Sequence, residues 1–183
     1  MDKLFFAADL HLGHERILAH DRRPWNSIHE HDKEIIQNWN ETIAPTNRVF
    51  ILGDLCFRNE IPAEWYISKL HGQLHFIRGN HDDQGAWKVR HLFHFSAEAA
   101  YIKFYKQKIY LLHYPCRAWR GSHRGTWHLH GHCHGNLSPY GKSMDVGIMN
   151  HDYKPIEFEE IQAFMENQPD TPHHGDKVYY GDD

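Results

Sequence analysis

Three apolar runs in the first half of the chain each stop on residues able to ligate a metal, and this pattern constrains the fold more than any other feature. Lys3 to Ala8 stops on Asp9-Leu10-His11, Arg48 to Leu52 on Gly53-Asp54, and Gln73 to Arg78 on Gly79-Asn80-His81-Asp82. Two helix signals lie between them. From Ser27 to Ile43, residues Ile28, Ile35, Ile36, Trp39 and Ile43 recur at helical spacing, Ser27 and Glu30 have the spacing of a capping box, and Pro45 follows as a stop. Pro62 to Leu70 reads as a second helix, with Pro62 in its first turn and Gly72 past its end. Strand, helix, strand, helix, strand implies βαβ units in a parallel sheet, so the expected class is α/β. The carboxyl ends of parallel strands share one edge, and that edge is where such sheets hold their ligands.

The second half changes character. Tyr101 to Phe104 and Ile109 to Leu112 flank a four-residue polar stretch and are expected as an antiparallel hairpin. Thr126 to His130 and Met144 to Ile148 are further strand candidates, and Pro155 to Met165 is expected as a closing helix. The expected organisation is a single domain over residues 1–166, followed by a mobile tail over 167–183 in which Pro, Gly, Asp and His dominate.

The formal charge of −4 argues against the basic surface of a dedicated duplex binder, so no strong duplex nucleic-acid binding is expected. Three dispersed cysteines (Cys56, Cys116 and Cys133) make neither a disulfide framework nor a thiolate zinc site and suit a reducing, cytoplasmic setting. No apolar run reaches membrane-spanning length, so no membrane partner is expected, and oligomeric state is not readable. Histidine is the compositional anomaly, at 19 of 183 residues, and position decides which of these matter.

The hairpin's second strand ends on His113 and the next on Gly131-His132-Cys133-His134. Together with the three earlier strand ends, these blocks bring distant nitrogen and oxygen donors to one edge. Alternate residues of an extended segment point the same way, so Asp9 with His11, and His132 with His134, are expected to present paired ligands. So many donors suit two divalent ions sharing a carboxylate better than one, with Asp54 the natural bridge. Two such ions about 3.5–4 Å apart clamp in-line displacement at phosphorus, with hydroxide between them as nucleophile.

Asp9-x-His11, Gly53-Asp54, Gly79-Asn80-His81-Asp82, His113 and Gly131-His132-x-His134 resemble, in order and in full, the signature of the calcineurin-like metallophosphoesterase superfamily over about residues 5 to 158. The resemblance implies a four-layer αββα sandwich with mixed sheets and a dinuclear centre at the strand ends. It implies that Asp9, His11, Asp54 and His134 hold one metal, and Asp54, Asn80, His113 and His132 the other. His81 would donate a proton to the leaving alkoxide, with Asp82 orienting its ring. Manganese is the expected metal, with iron, zinc, nickel or cobalt as alternatives. The stretches Asp9 to His14, Arg23-Pro24-Trp25 and Gly147 to Pro155 are similar to those of small bacterial and phage phosphoesterases. The chain departs from protein phosphatases at Phe57, which stands where they carry Asp, while Arg58 keeps the arginine position as a candidate phosphate contact.

The expected activity is metal-dependent hydrolysis of phosphodiesters, of nucleotides first. Phosphomonoesters, pyrophosphate bonds, short single strands as a nuclease substrate and an inactive binding scaffold are the alternatives. His14 and Arg23 follow the first ligand block as pocket candidates. Arg120 and Arg124 lie in Trp119 to Trp127, either a base-stacking, phosphate-gripping loop or an ordinary connection. Cys133 is expected to point away from its neighbouring ligands, and His29, His31, His173 and His174 to be solvated.

Overall fold

The computed structural model describes residues 3–57 and 60–171. Four strands of the first half, β1 (Leu4–Ala7), β2 (Arg48–Leu52), β3 (Gln73–Ile77) and β4 (Phe95–Ala97), lie parallel and in chain order. The edge strand β4 gave no periodic signal because it has only three residues. Helix α2 (Ile28–Thr42) starts where expected: the Ser27 side chain accepts from the Glu30 N–H. Glu30 returns to the Asn26 N–H rather than to Ser27, so the capping box is displaced by one residue on that side. Helix α3 (Ala63–Lys69) follows Pro62. A short helix, α1 (Ile17–His20), precedes both and was not anticipated.

The second sheet runs β5 (Ala99–Phe104), β6 (Gln107–Leu112), β7 (Trp127–His130) and β8 (Ser143–Asp145). The β5–β6 pair is the expected antiparallel hairpin, and β6, β7 and β8 are parallel, so both sheets are mixed. The expected strand over Met144 to Ile148 is shorter, turning into a 3-10 turn at Ile148–Asn150. The expected helix from Pro155 is corrected at its start: Ile156–Glu157 is a strand, β9, antiparallel to β1, and α4 covers Phe158–Glu166. Glu157 and Glu160 form its capping box, which sets the helix start three residues later than Pro155 suggested.

Alternation along the strands builds two cores. Phe5, Ala7, Val49, Ile51, Leu74 and Phe76 pack against Ile35, Trp39 and Ile43 of the α2 segment and Tyr66 and Ile67 of α3. Leu4, Phe6, Phe50, Leu52 and Ile77 face Ile109, Leu111, Trp127 and Leu129 of the second sheet, with Phe158, Ile161 and Met165 of α4. The sheets therefore stack face to face, with α2 and α3 outside the first. Outside the second, Trp119 packs on His128, and its indole N–H donates to the Thr126 carbonyl.

Register fixes where the strand ends fall. Ala7 lies opposite Ile51 and Leu52 opposite Ile77, so Asp9, Asp54 and Asn80 leave β1, β2 and β3 at the same edge. In the second sheet Leu111 lies opposite Leu129, bringing His113 and Gly131 to one level, where the Gly131 N–H donates to the His113 carbonyl. A bridge between Ala8 and Gly147 joins the two edges.

Candidate metal centre

The chain after β1 runs beside the chain after β2: the N–H groups of Asp9, His11 and Leu12 donate to the carbonyls of Gly53, Asp54 and Leu55. Five expected ligands, Asp9, His11, Asp54, His132 and His134, have φ between 49° and 70°, the left-handed region. Non-glycine residues held there cost of order 1–3 kcal/mol each and concentrate at functional sites. This corrects the expectation of strand alternation. Asp9 with His11, and His132 with His134, reach the site from left-handed turns beyond the strands. Gly131 allows the close approach, since a Cβ there would lie 2.5 Å from the Ala8 Cβ and 2.6 Å from Asp9 Oδ2.

Donor atoms converge in three overlapping groups among the described residues, Asp9–His11–His134, Asp9–Asp54–His113 and, toward the surface, His20–Asp21–His134, each within 4.8 Å. Asp54 Oδ2 lies 3.6 Å from His11 Nε2 and 3.5 Å from His113 Nε2, between the two halves. Asn80 Oδ1 is 2.9 Å from both His113 Nε2 and His132 Nδ1. His134 Nε2 faces His11 Nε2 at 3.3 Å and Asp9 Oδ1 at 3.7 Å. Two rings give their other nitrogen to an oxygen acceptor: His113 Nδ1 donates to the Leu52 carbonyl at 2.8 Å, and His134 Nδ1 to Asp21 Oδ2 at 2.7 Å. Each presents Nε2 to the centre, the arrangement that fixes the tautomer of metal-binding histidines.

The electrostatics run the same way. Burial, then the charges of Asp145 and Asp54, push Asp9 well above the usual carboxylate range. Burial holds His11 well below the ordinary histidine value and also lowers His113. Crowded buried carboxylates among neutral imidazoles make a donor set that a divalent cation compensates.

His81 stands half-buried on the wall, its backbone N–H donating to Asp54 Oδ1 at 3.0 Å and its ring 5.5 Å from that of His11. His14 joins the site, with Nδ1 3.2 Å from His11 Nδ1 and its ring stacked on Phe57 at 4.1 Å. His11, His14, Asp54, Asn80, His81, His132 and His134 line a cleft of about 480 Å³, whose wall Arg16, Ile17, His20, Cys133 and Asn136 complete. Cys133 borders the cleft, and its neighbours His132 and His134 sit in left-handed turns rather than on a strand.

Other expectations part from the structure. Asp82 is buried and accepts from the N–H groups of Gly79 (2.7 Å), Asp54 (2.8 Å) and Leu55 (3.1 Å), so its carboxylate holds the Asp54 loop rather than the His81 ring. Arg23 is buried beneath the site, bonded to the carbonyls of Asp9 and Leu10, and does not line the cleft. His31, expected in solvent, is buried between Arg23 and Asp32. Arg120 lies over the Tyr101 ring. Arg124 precedes Gly125, whose carbonyl takes a bond from the Gln107 side chain at the start of β6. His113 follows the other end of that six-residue strand, roughly 20 Å away at about 3.3 Å per residue. Arg58, His173 and His174 lie outside the described residues.

The sequence reading missed Asp21, Asp32 and Asp145. Asp32 accepts from the Gly13 N–H and the Tyr66 hydroxyl, and Asp145 from the N–H groups of Gly135 and Gly147. Nothing in their spacing marks them; each works through a partner distant in the chain or through backbone.

No family model matches the chain. The gene 66 protein of Mycobacterium phage L5 is 33% identical over 85 residues, 45% of this chain and 41% of the phage protein. The solved protein of unknown function AQ665 from Aquifex aeolicus superposes with a TM-score of 0.70 at 20% identity, over 90% of this chain and 100% of its own, which shows a shared fold. YfcE, a phosphoesterase from E. coli, aligns at 22% identity over 79% of this chain and 78% of its own, but its TM-score of 0.38 is too low to show a common fold. The uncharacterized protein MJ1445 of Methanocaldococcus jannaschii is 30% identical over 175 residues, 91% of this chain and 93% of that protein, and this chain belongs to the same family.

Proposed function

We propose that the chain is a metal-dependent phosphoesterase of the calcineurin-like metallophosphoesterase superfamily, a single domain over residues 1–166 with a C-terminal tail. The carrying observation is the convergence of Asp9, His11, Asp54, Asn80, His113, His132 and His134 from five strand ends, five of them in left-handed backbone. The two stacked mixed sheets with α2 and α3 outside the first read as three layers of that superfamily's αββα sandwich; among the described residues no α-helix forms the fourth layer, because α4 packs with the core shared by the sheets.

Asp9, His11, Asp54 and His134 would hold one ion and Asp54, Asn80, His113 and His132 the other, the position of Asp54 Oδ2 suiting a shared carboxylate. Divalent ions there, Mn²⁺ first and iron, zinc, nickel or cobalt otherwise, would polarise the phosphoryl oxygens and bring the pKa of attacking water to about 7. The protein's own part is separate. Leu52 and Asp21 fix the rings of His113 and His134, and Asp82 fixes the loop of Asp54. His81, on the cleft wall, donates a proton to the leaving alkoxide. His14 and Arg58 are proposed substrate contacts. A nucleotide phosphodiester is the favoured substrate, because a cleft of about 480 Å³ lies within the usual range for small ligands. A cytoplasmic setting accords with three free cysteines, and no helix among the described residues is long and apolar enough to cross a membrane.

The test is hydrolysis of bis-(p-nitrophenyl) phosphate and p-nitrophenyl phosphate by metal-stripped protein refilled with Mn²⁺. Diester cleavage supports the reading, faster monoester cleavage moves it to a phosphomonoesterase, and neither reaction refutes it. Asp54→Asn should lose metal and rate together. His81→Ala should keep metal and lose about 10²–10⁴-fold in rate; equal metal loss in both overturns the role of His81.

A further inference from the structure

The network beneath the site is built around one arginine. Arg23 has a guanidinium with no exposed surface, and all five of its N–H donors have acceptors. Nη2 bonds the Asp9 carbonyl at 2.8 Å and Asp21 Oδ2 at 3.2 Å. Nη1 bonds the Leu10 carbonyl at 2.9 Å and His31 Nε2 at 2.7 Å, and Nε reaches Asp21 Oδ2 at 3.3 Å.

Two routes lead from it to the centre. His31 passes its other ring nitrogen to Asp32 at 2.8 Å, and both Asp32 oxygens take the Gly13 N–H at 3.0 Å. The Asp9–Gly13 segment, with Asp9 and His11 left-handed, is thereby pinned at both ends. The second route is through Asp21, whose Oδ2 also accepts from His134 Nδ1 at 2.7 Å.

We propose that Arg23, acting through the Asp9 carbonyl and through Asp21, is the positioning residue that sets the Asp9–His11–His134 half of the centre. It touches no substrate. It holds Asp21 where the carboxylate fixes His134 with its proton on Nδ1 and its Nε2 free toward Asp9, and it holds the turn that aims Asp9 itself. A lysine would not replace it, because three donors on one nitrogen cannot serve four separate acceptor atoms. The inference rests on the reading of this cluster as a metal centre, but its deciding measurement does not.

That measurement is the tautomer of His134 in metal-free protein, read by ¹⁵N–¹H NMR of the imidazole, in wild type, Arg23→Lys and Asp21→Ala. Asp21→Ala removes the oxygen that accepts the His134 Nδ1 proton and is retained should Arg23→Lys fail to fold. Wild type is expected to hold the Nδ1–H form, and the variants to lose it as the dominant form. An unchanged His134 tautomer in the folded variants overturns the proposal, since a merely structural role would leave it in place. Mn²⁺ titration of the same proteins is the second readout, with affinity at one of two sites expected to fall about 10–100-fold and the other kept. Wild-type protein that shows the tautomer shift series yet binds no Mn²⁺ would sink the metal reading while leaving the positioning role standing.

Discussion

Replacing Asp82 with Asn separates two roles for that residue that predict different losses. If Asp82 orients the His81 ring, the variant keeps its stability and loses rate. If it holds the Asp54 loop, the variant loses stability even without metal. Asn can turn its carbonyl to the Oδ2 position, keeping the bonds from Gly79 N (2.7 Å) and Asp54 N (2.8 Å), but its NH₂ then meets the Leu55 N–H. Burial and then the charge of Asp54 push the Asp82 carboxyl up to about 7, so the fold favours its neutral form and the comparison belongs at about pH 4.5, where the residue is uncharged in both proteins. The variant then leaves the buried Leu55 N–H without its acceptor, a cost of about 1–3 kcal/mol, which for a chain of this length lowers Tm by about 3–10 °C. Calorimetry of metal-free wild type and Asp82→Asn decides it. A Tm within about 2 °C of wild type, with a large loss of rate on refilling with metal, refutes the loop-holding argument.

Three further outcomes are expected. Burial, then the neighbouring His130, lower His128 to about 4, against an ordinary value of 6.5. Its neutral form is the folded one, so the stability it carries is complete above pH 6.5 and drains as pH falls toward 4, by about 3 kcal/mol in full. Urea unfolding at pH 7 and 4.5 should show a smaller loss in His128→Gln than in wild type, and equal losses would contradict the assignment. Gly79→Ala would set a Cβ 2.5 Å from Asp54 N and closer still to its Oδ1, so Mn²⁺ titration should show metal binding lost or sharply weakened. Arg124→Ala should change kcat/KM less than about two-fold, well inside 1 kcal/mol, because the adjoining Gly125 is bonded at the end of β6 away from His113.

Legibility followed the range over which each feature is encoded. β2 matches its sequence expectation residue for residue, and α2 begins on the Ser27 cap, because apolar spacing and capping are local signals. β9 escaped because two residues hydrogen-bonded to β1 have no period of their own and adjoin a helical pattern. The candidate ligands were legible as residue types at strand ends, but their approach was not. Extended alternation was the natural reading of Asp9 and His11, and left-handed turns at both are what the chain adopts. Such turns need partners from elsewhere, here Arg23 on the Asp9 carbonyl and Gly53 and Asp54 on its flank.

The sequence by itself determined which donors exist and that three strand ends share an edge, since parallel βαβ order leaves carboxyl termini nowhere else to go. Tertiary structure decided what each polar residue serves. Asp21 and His134 stand 113 positions apart and Asp82 and Asp54 28, so no local pattern links them. A buried carboxylate or guanidinium takes whichever donors and acceptors the packed chain brings within about 3 Å. For Arg23 that was the backbone under the centre instead of the cleft, and for Arg120 a tyrosine ring on the second sheet.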